Sequence, residues 1–97
     1  MITIKREGNL ITIEGHADYK NKDDIVCASV SSIMYTTVNA CLKLKSTSID
    51  YKDDGEIVTI NILSDDKYTK ALINNMLSLY MELTSKYPNN IKVESEE

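Results

Sequence analysis

The chain has 97 residues, of which 42% are hydrophobic, and a formal net charge of −4. This length supplies one hydrophobic core, so we predict a single domain over residues 1–97, and the hydrophobic content excludes a disordered chain. Acidic residues outnumber basic ones by 15 to 11, and Arg6 is the one arginine, which argues against a surface that binds nucleic-acid phosphates.

The sequence lacks the usual signs of membrane insertion or export. No apolar run approaches the roughly 20 residues of a membrane span, and the first residues, MITIKREGNL, lack a basic region followed by a long apolar stretch. We therefore expect a cytoplasmic protein. One His and two Cys are the scarce reactive residues, and they are too few for a zinc site, so we expect no metal and no other cofactor.

The first predicted element is a β-hairpin. Residues 2–6 and 10–14 alternate apolar and polar side chains, and residues 7–9 (EGN) supply the turn. If the second strand continues a few residues further, His16 lies at its end on the more polar face. The polar segment 18–24, DYKNKDD, has no strong periodicity and is predicted to be a loop.

A long helix is predicted over Asp24–Lys45, with Asp23 or Asp24 as its N-cap. With successive residues about 100° apart, its apolar positions form one broad arc opposite a narrow polar ridge. The arc contains Val26, Cys27, Val30, Ser31, Ile33, Met34, Thr37, Val38, Cys41 and Leu44. An arc this wide is typical of a helix that packs on a sheet or is partly covered by a second surface.

A second hairpin follows this helix. A short strand starts at Ile49, and residues 56–63 (EIVTINIL) read as its partner. The Asp-Gly pair within residues 53–55 is a strong hairpin signal between such segments.

The C-terminal part predicts a second helix and a short last strand. Residues 64–66 cap the helix and Pro88 ends it. Its apolar stripe contains Tyr68, Leu72, Ile73, Met76, Leu77, Leu79, Tyr80 and Leu83. Residues 91–93 form the last strand, and we expect the tail at 94–97 to be frayed.

The resulting order is ββαββαβ. It predicts an α+β fold in two layers, with a mainly antiparallel sheet and two long helices. The wide apolar arcs of both helices leave room for a dimer interface.

The two cysteines have different predicted roles. Cys27 and Cys41 are 14 positions apart on one predicted helix, or about 21 Å, whereas a disulfide needs Cα atoms within about 7 Å. The helix therefore excludes an intrachain disulfide. Cys41 is predicted to be a small buried hydrophobic residue.

Cys27 lies in the first turn of this helix, where unpaired N–H groups and the helix dipole favour an anion. A thiolate is such an anion. His16 precedes Cys27 by eleven positions, and the loop between them can fold back so that the imidazole accepts the thiol proton. The backbone amides of Cys27 and Ala28 are candidate oxyanion donors.

The same residues also have possible structural roles. A cysteine in an apolar helix is most often a core residue, and a histidine at a strand end is often structural. Gly15 can mark a bulge or the close approach of another segment. Ser31 can hydrogen-bond back to its own helix, and Asp24 can act only as a cap.

The tripeptide Gly15-His16-Ala17, followed by residues 24–31 (DIVCASVS), resembles the signature of the bacterial ribosomal-processing cysteine proteases. That family pairs GHA with a (D/E)-(I/V)-V-C-A-x-x-S element about a dozen residues later. The resemblance continues more weakly through residues 38–40 (VNA) and 50–55 (DYKDDG), and the element order is similar across nearly the whole chain.

The resemblance implies a homodimeric cysteine endopeptidase that trims an N-terminal extension from a large-subunit ribosomal protein, ribosomal protein twenty-seven. It implies Cys27 as the nucleophile and His16 as the base, with Asp24, Ser31 and Gly15 supporting the site. It further implies that the loop between His and Cys closes over the substrate peptide. The residues of that loop are Asp18, Tyr19, Lys20, Asn21, Lys22 and Asp23.

Two hypotheses follow from the sequence. The first is this protease, whose substrates carry a bulky hydrophobic or aromatic residue, usually Phe, before the cut. The second is a non-catalytic peptide-binding protein in ribosome assembly that uses the same groove. Direct nucleic-acid binding and membrane association are not expected.

Overall fold

The computed structural model describes residues 1–15 and 25–96, so predictions for residues 16–24, including His16 and Asp24, lie outside the described residues. The elements have the predicted ββαββαβ order. In chain order they are β1 (Ile2–Glu7), β2 (Leu10–Gly15), α1 (Ile25–Leu44), β3 (Ile49–Asp53), β4 (Ile57–Ile62), α2 (Lys67–Lys86) and β5 (Ile91–Glu96).

The five strands form one sheet in the order β3-β4-β2-β1-β5. Neighbouring strands are antiparallel except β1 and β5, which are parallel, so the sheet is mixed. The parallel pair arises because α2 carries the chain from β4 to the far edge of the sheet, beside β1. The predicted α+β fold with a mainly antiparallel sheet is confirmed.

The two faces of the sheet differ in polarity. Ile11 on β2 pairs with Ile60 on β4, and both are fully buried in a core that includes the inner faces of α1 and α2. The other face carries charges that pair along single strands, as Lys92 does with Glu94 at 3.0 Å. The strands therefore bury one face beneath the helices and present the other to water.

The helices bury narrower faces than their sequences indicate. On α1 the residue Leu44, predicted in the apolar arc, is 60% exposed at the end of the helix. On α2 the residue Tyr68 is 62% exposed, whereas Thr69 is fully buried. The buried face of α2 is therefore rotated about the helix axis relative to the predicted apolar stripe. The N-cap explains this rotation, because Thr69 donates hydrogen bonds from both its backbone N–H and its hydroxyl to the Asp66 carboxylate. The buried residues of α2 are Thr69, Ile73, Met76 and Tyr80.

The prediction of a frayed tail at residues 94–97 is wrong for residues 94–96. β5 extends to Glu96 and pairs with β1 along its whole length, with Arg6 opposite Ser95 and Glu7 opposite Glu96. The acidic composition did not indicate a strand, but β1 offers backbone partners up to Glu7. The strand forms because this non-local pairing satisfies the backbone of the tail.

A buried hydrogen bond joins the two helices. The hydroxyl of Tyr80, which is fully buried on α2, donates to the backbone carbonyl of Val30 on α1 at 2.9 Å. Burial raises the pKa of the Tyr80 hydroxyl well above its ordinary value, so the side chain remains a neutral donor. This contact fixes α2 against the N-terminal half of α1.

α1 is long and apolar enough to cross a membrane by length and composition, with a mean hydropathy of 1.5 over its most apolar window. Core helices of soluble proteins pass the same test. Six residues of α1 are buried in the core beside the sheet, namely Val26, Val30, Met34, Thr37, Val38 and Cys41. One face of α1 is thus buried in the core, and a third of the apolar window is buried.

Candidate active site

A cavity of about 200 Å³ lies where α1 begins, beside the start of β1, the end of β2 and the β3–β4 hairpin. Its lining is apolar next to the core and polar at the hairpin. The lining residues are Ile2, Ile13, Gly15, Cys27, Val30, Ser31, Met34, Tyr35, Asp53, Gly55, Glu56 and Val58.

Cys27 lines this cavity from the first turn of α1. It is the third residue of the helix and is partly buried, so its thiol is neither in bulk water nor sealed in the core. Cys27 therefore places a thiol beside the cavity at the positive end of a 20-residue helix, where the helix dipole favours an anion.

Ala28, the second candidate oxyanion donor, is the fourth residue of α1. It lines a different depression from Cys27, an open apolar groove of about 530 Å³ with Ile25, Ile33 and Leu83.

Gly15 brings the end of β2 to the same cavity. Its φ of +98° disfavours any residue with a Cβ, and a Cβ there would clash with the backbone carbonyl oxygen of Met1. Of the readings left open by the sequence, the close approach of another segment is the correct one. His16 is the next residue in the sequence, outside the described part of the chain.

Ser31 also lines the cavity, one helical turn after Cys27. The structure thus brings together three residues of the sequence motif: Gly15, Cys27 and Ser31. Two residues before Ser31, the hydroxyl of Ser29 donates a hydrogen bond to the backbone carbonyl of Ile25 in the same helix, at 2.7 Å.

Cys41 has the opposite environment from Cys27, as predicted. It is fully buried in the core. Burial raises the pKa of its thiol, and the nearby Asp66 carboxylate raises it further, so the thiolate is disfavoured there. Both cysteines are thiols in the structure, and Cys41 has the environment of a core residue.

Sequence reasoning missed the far wall of the cavity. Tyr35 on α1 and Asp53 at the end of β3 line it, and Tyr51 lies beside them. Partial burial raises the pKa of the Tyr51 hydroxyl, and the nearby Tyr35 hydroxyl and Asp53 carboxylate raise it further. Two features of the sequence could have indicated this wall. One is the position of Tyr35, eight residues after Cys27, and the other is the weak family match at residues 50–55.

The β3–β4 turn holds the acidic side of the wall in place. The carboxylate of Asp53 accepts a hydrogen bond from the Gly55 amide at 2.9 Å. Asp54 accepts from the amides of Glu56 and Ile57, and these bonds lower the pKa of its carboxyl. The turn was predicted correctly, but its position at the cavity was not.

This combination of fold and site matches a known family. The family model described as cysteine protease Prp matches residues 1–92. The chain belongs to this family. It is 30% identical over 100 residues to the ribosomal processing cysteine protease Prp of Staphylococcus aureus strain Mu50, covering 95% of this chain and 92% of that protein. The protein of strain NCTC 8325 gives the same values.

Solved structures agree with this membership. The S. aureus ribosomal processing protease Prp in complex with a covalently linked product peptide is 27% identical, with a TM-score of 0.87 over 99% of this chain and 100% of that one. Its complex with a substrate peptide is 22% identical and shares the fold, with a TM-score of 0.82 over 98% of this chain and 97% of that one. The protein is therefore a cysteine protease of the Prp family.

Proposed function

We propose that this protease removes a short N-terminal extension from ribosomal protein twenty-seven of the large subunit during ribosome maturation. Support comes from the S. aureus relatives, which are described as ribosomal processing proteases and have been solved with substrate and product peptides. The observation that carries the proposal is that Cys27 and Gly15, the residue before His16, line one cavity.

In the proposed mechanism Cys27 is the nucleophile and His16 the general base. The imidazole takes the thiol proton, and the thiolate attacks the scissile carbonyl. The backbone N–H groups of Cys27 and Ala28 stabilise the oxyanion. His16 then protonates the leaving amine, which leaves an acyl-enzyme with a thioester. Water, activated by the same imidazole, releases the second product.

The remaining motif residues have supporting roles in this proposal. Ser31 and Asp24 support the arrangement of the dyad, and Gly15 lets β2 approach β1 closely before the chain reaches His16. Residues 18–23 close over the bound peptide. The enzyme works as a single domain, as a cytoplasmic homodimer and without a metal or another cofactor. Apolar side chains exposed on the helices, such as Ile25 at 49% and Met81 at 56%, supply surface for a dimer.

The test is incubation of the full-length chain with a synthetic peptide that spans the N-terminal extension of that ribosomal protein. Mass spectrometry should show two products with the parent and with Cys41→Ala, and none with Cys27→Ala or His16→Ala. Equal cleavage by Cys27→Ala would disprove the assignment of the nucleophile. Peptide binding without products from the parent would favour a non-catalytic peptide-binding protein.

A further inference from the structure

The cavity at Cys27 extends along α1, away from the start of the helix. Cys27, Ser31 and Tyr35 follow one another at four-residue spacing and all line it. Eight residues of helix correspond to about 12 Å. An extended peptide rises about 3.3 Å per residue, so a side chain about three or four positions from the scissile bond reaches the Tyr35 end.

That end combines an aromatic ring with two carboxylates. Tyr35 is a large side chain left 49% exposed, and it lines the cavity with Asp53 and Glu56. The register explains the position of Asp53, because Asp53 pairs with Val58 and Val58 pairs with Ile13. Asp53 therefore shares the helix-covered face of the sheet with the buried Ile13.

The carboxylates of this wall are not neutralised by basic side chains of the described residues. The ion pairs in the described ranges join Lys5 to Glu7, Lys52 to Asp50, Lys70 to Asp65 and Lys92 to Glu94. None of them uses Asp53 or Glu56.

We propose that the end of the cavity formed by Tyr35, Asp53 and Glu56 is a subsite for a lysine or arginine side chain of the substrate. Met34 and Val58 line the cavity beside these residues and suit the aliphatic stem of such a side chain. The cationic head then lies against the Tyr35 ring and between the carboxylates. An acidic side chain at that position meets like charges, so the same wall rejects it.

This subsite rests on the proposed protease function. It makes Tyr35 and Glu56 residues that determine specificity, and it gives the protease a preference for substrates with a positive charge close to the cut. Tyr51 precedes Asp53 by two residues on β3, shares its face of the sheet and packs against the core.

The test uses fluorogenic peptides with a fixed Phe immediately before the cut. One Lys, Gln or Glu is placed in turn at each of the three positions preceding that Phe and at each of the four positions after the cut. The ratio of kcat/KM for the Lys peptide to that for the Glu peptide is measured at each position. We expect this ratio to peak at one position of the parent. It should fall about three- to tenfold there in Glu56→Gln and in Tyr35→Leu.

Two exposed residues of α2 outside the cavity serve as matched controls. Glu82→Gln and Tyr68→Leu make the same chemical changes and should leave the ratio as it is in the parent. Cleavage of the Phe peptides without any Lys preference would overturn the subsite while leaving the protease function intact. A preference that survives both cavity variants would also overturn it. Failure to cleave any peptide would instead count against the proposed function.

Discussion

Gly15 at the end of β2 and Cys27 in the first turn of α1 line the same cavity, although twelve positions separate them in the sequence. β2 ends at Gly15, which pairs with Ile2 at the start of β1. The helix that carries the thiol packs its Val26 and Val30 into the core below. The two motif segments are therefore held by the sheet and by the core.

Replacing Gly15 by Ala should destabilise the fold strongly. The positive φ and the clash with the Met1 carbonyl act together, and we expect a loss of about 3 kcal/mol or more. The measurement is the free energy of unfolding in urea. Gly8→Ala is the matched control, because Gly8 also has a positive φ but has open space around it. It should lose about 1–2 kcal/mol, and equal losses would contradict the close approach.

Tyr80→Phe should weaken the contact between the helices without leaving a cavity. The change deletes the hydroxyl that donates to Val30, and we expect a loss of about 0.5–1.5 kcal/mol in the free energy of unfolding. Thermal denaturation measures it. Tyr68→Phe, at a residue that is 62% exposed, should be neutral. Equal melting temperatures for the parent and Tyr80→Phe would show that this hydrogen bond contributes no net stability.

Local patterns were sufficient to predict most of the fold. The alternation of apolar and polar side chains over residues 10–14 correctly predicted a strand, and its Ile11 and Ile13 lie on the buried face. The helix pattern correctly placed Cys27 in the first turn and Cys41 in the core. These properties depend on residues that are neighbours in the sequence. The strand at residues 94–96 was missed because its stability comes from pairing with β1.

The far wall of the cavity was missed for a similar reason. Tyr35, Tyr51 and Asp53 belong to elements that meet only after the sheet register is set. The sequence identified Asp53 as part of a turn, which it is, but could not indicate which helix the turn would face. Likewise, rotation of α2 about its axis follows from the Asp66 cap rather than from the apolar stripe alone.

The two thiols should differ in their reactivity in the native state. Cys27 is partly exposed to the cavity, whereas Cys41 is fully buried and burial raises the pKa of its thiol. With iodoacetamide at pH 7.5 we expect Cys27 to react about tenfold faster or more, followed by mass spectrometry of the peptides. In urea the two rates should converge. Faster labelling of Cys41 in the native protein would contradict the burial that distinguishes them.

The N-cap of α2 should make the stability of the protein depend on pH. The Thr69 hydroxyl and the amides of Thr69 and Tyr68 donate to Asp66, and these bonds lower the pKa of its carboxyl below the ordinary 3.8. The charged form is therefore favoured in the folded state. Its contribution is fully present above the ordinary pKa and is lost as the pH falls through the lower folded value.

The parent should consequently melt at a higher temperature than Asp66→Asn at pH 7, and the difference should shrink as the pH falls below about 4. Differential scanning calorimetry from pH 7 to pH 2.5 measures it. Asp50→Asn is the control, since that carboxylate is exposed and lies 4.0 Å from Lys52 in a surface pair. It should change the melting temperature little at any pH. A difference between the parent and Asp66→Asn that stays constant with pH would exclude the ionised cap as its source.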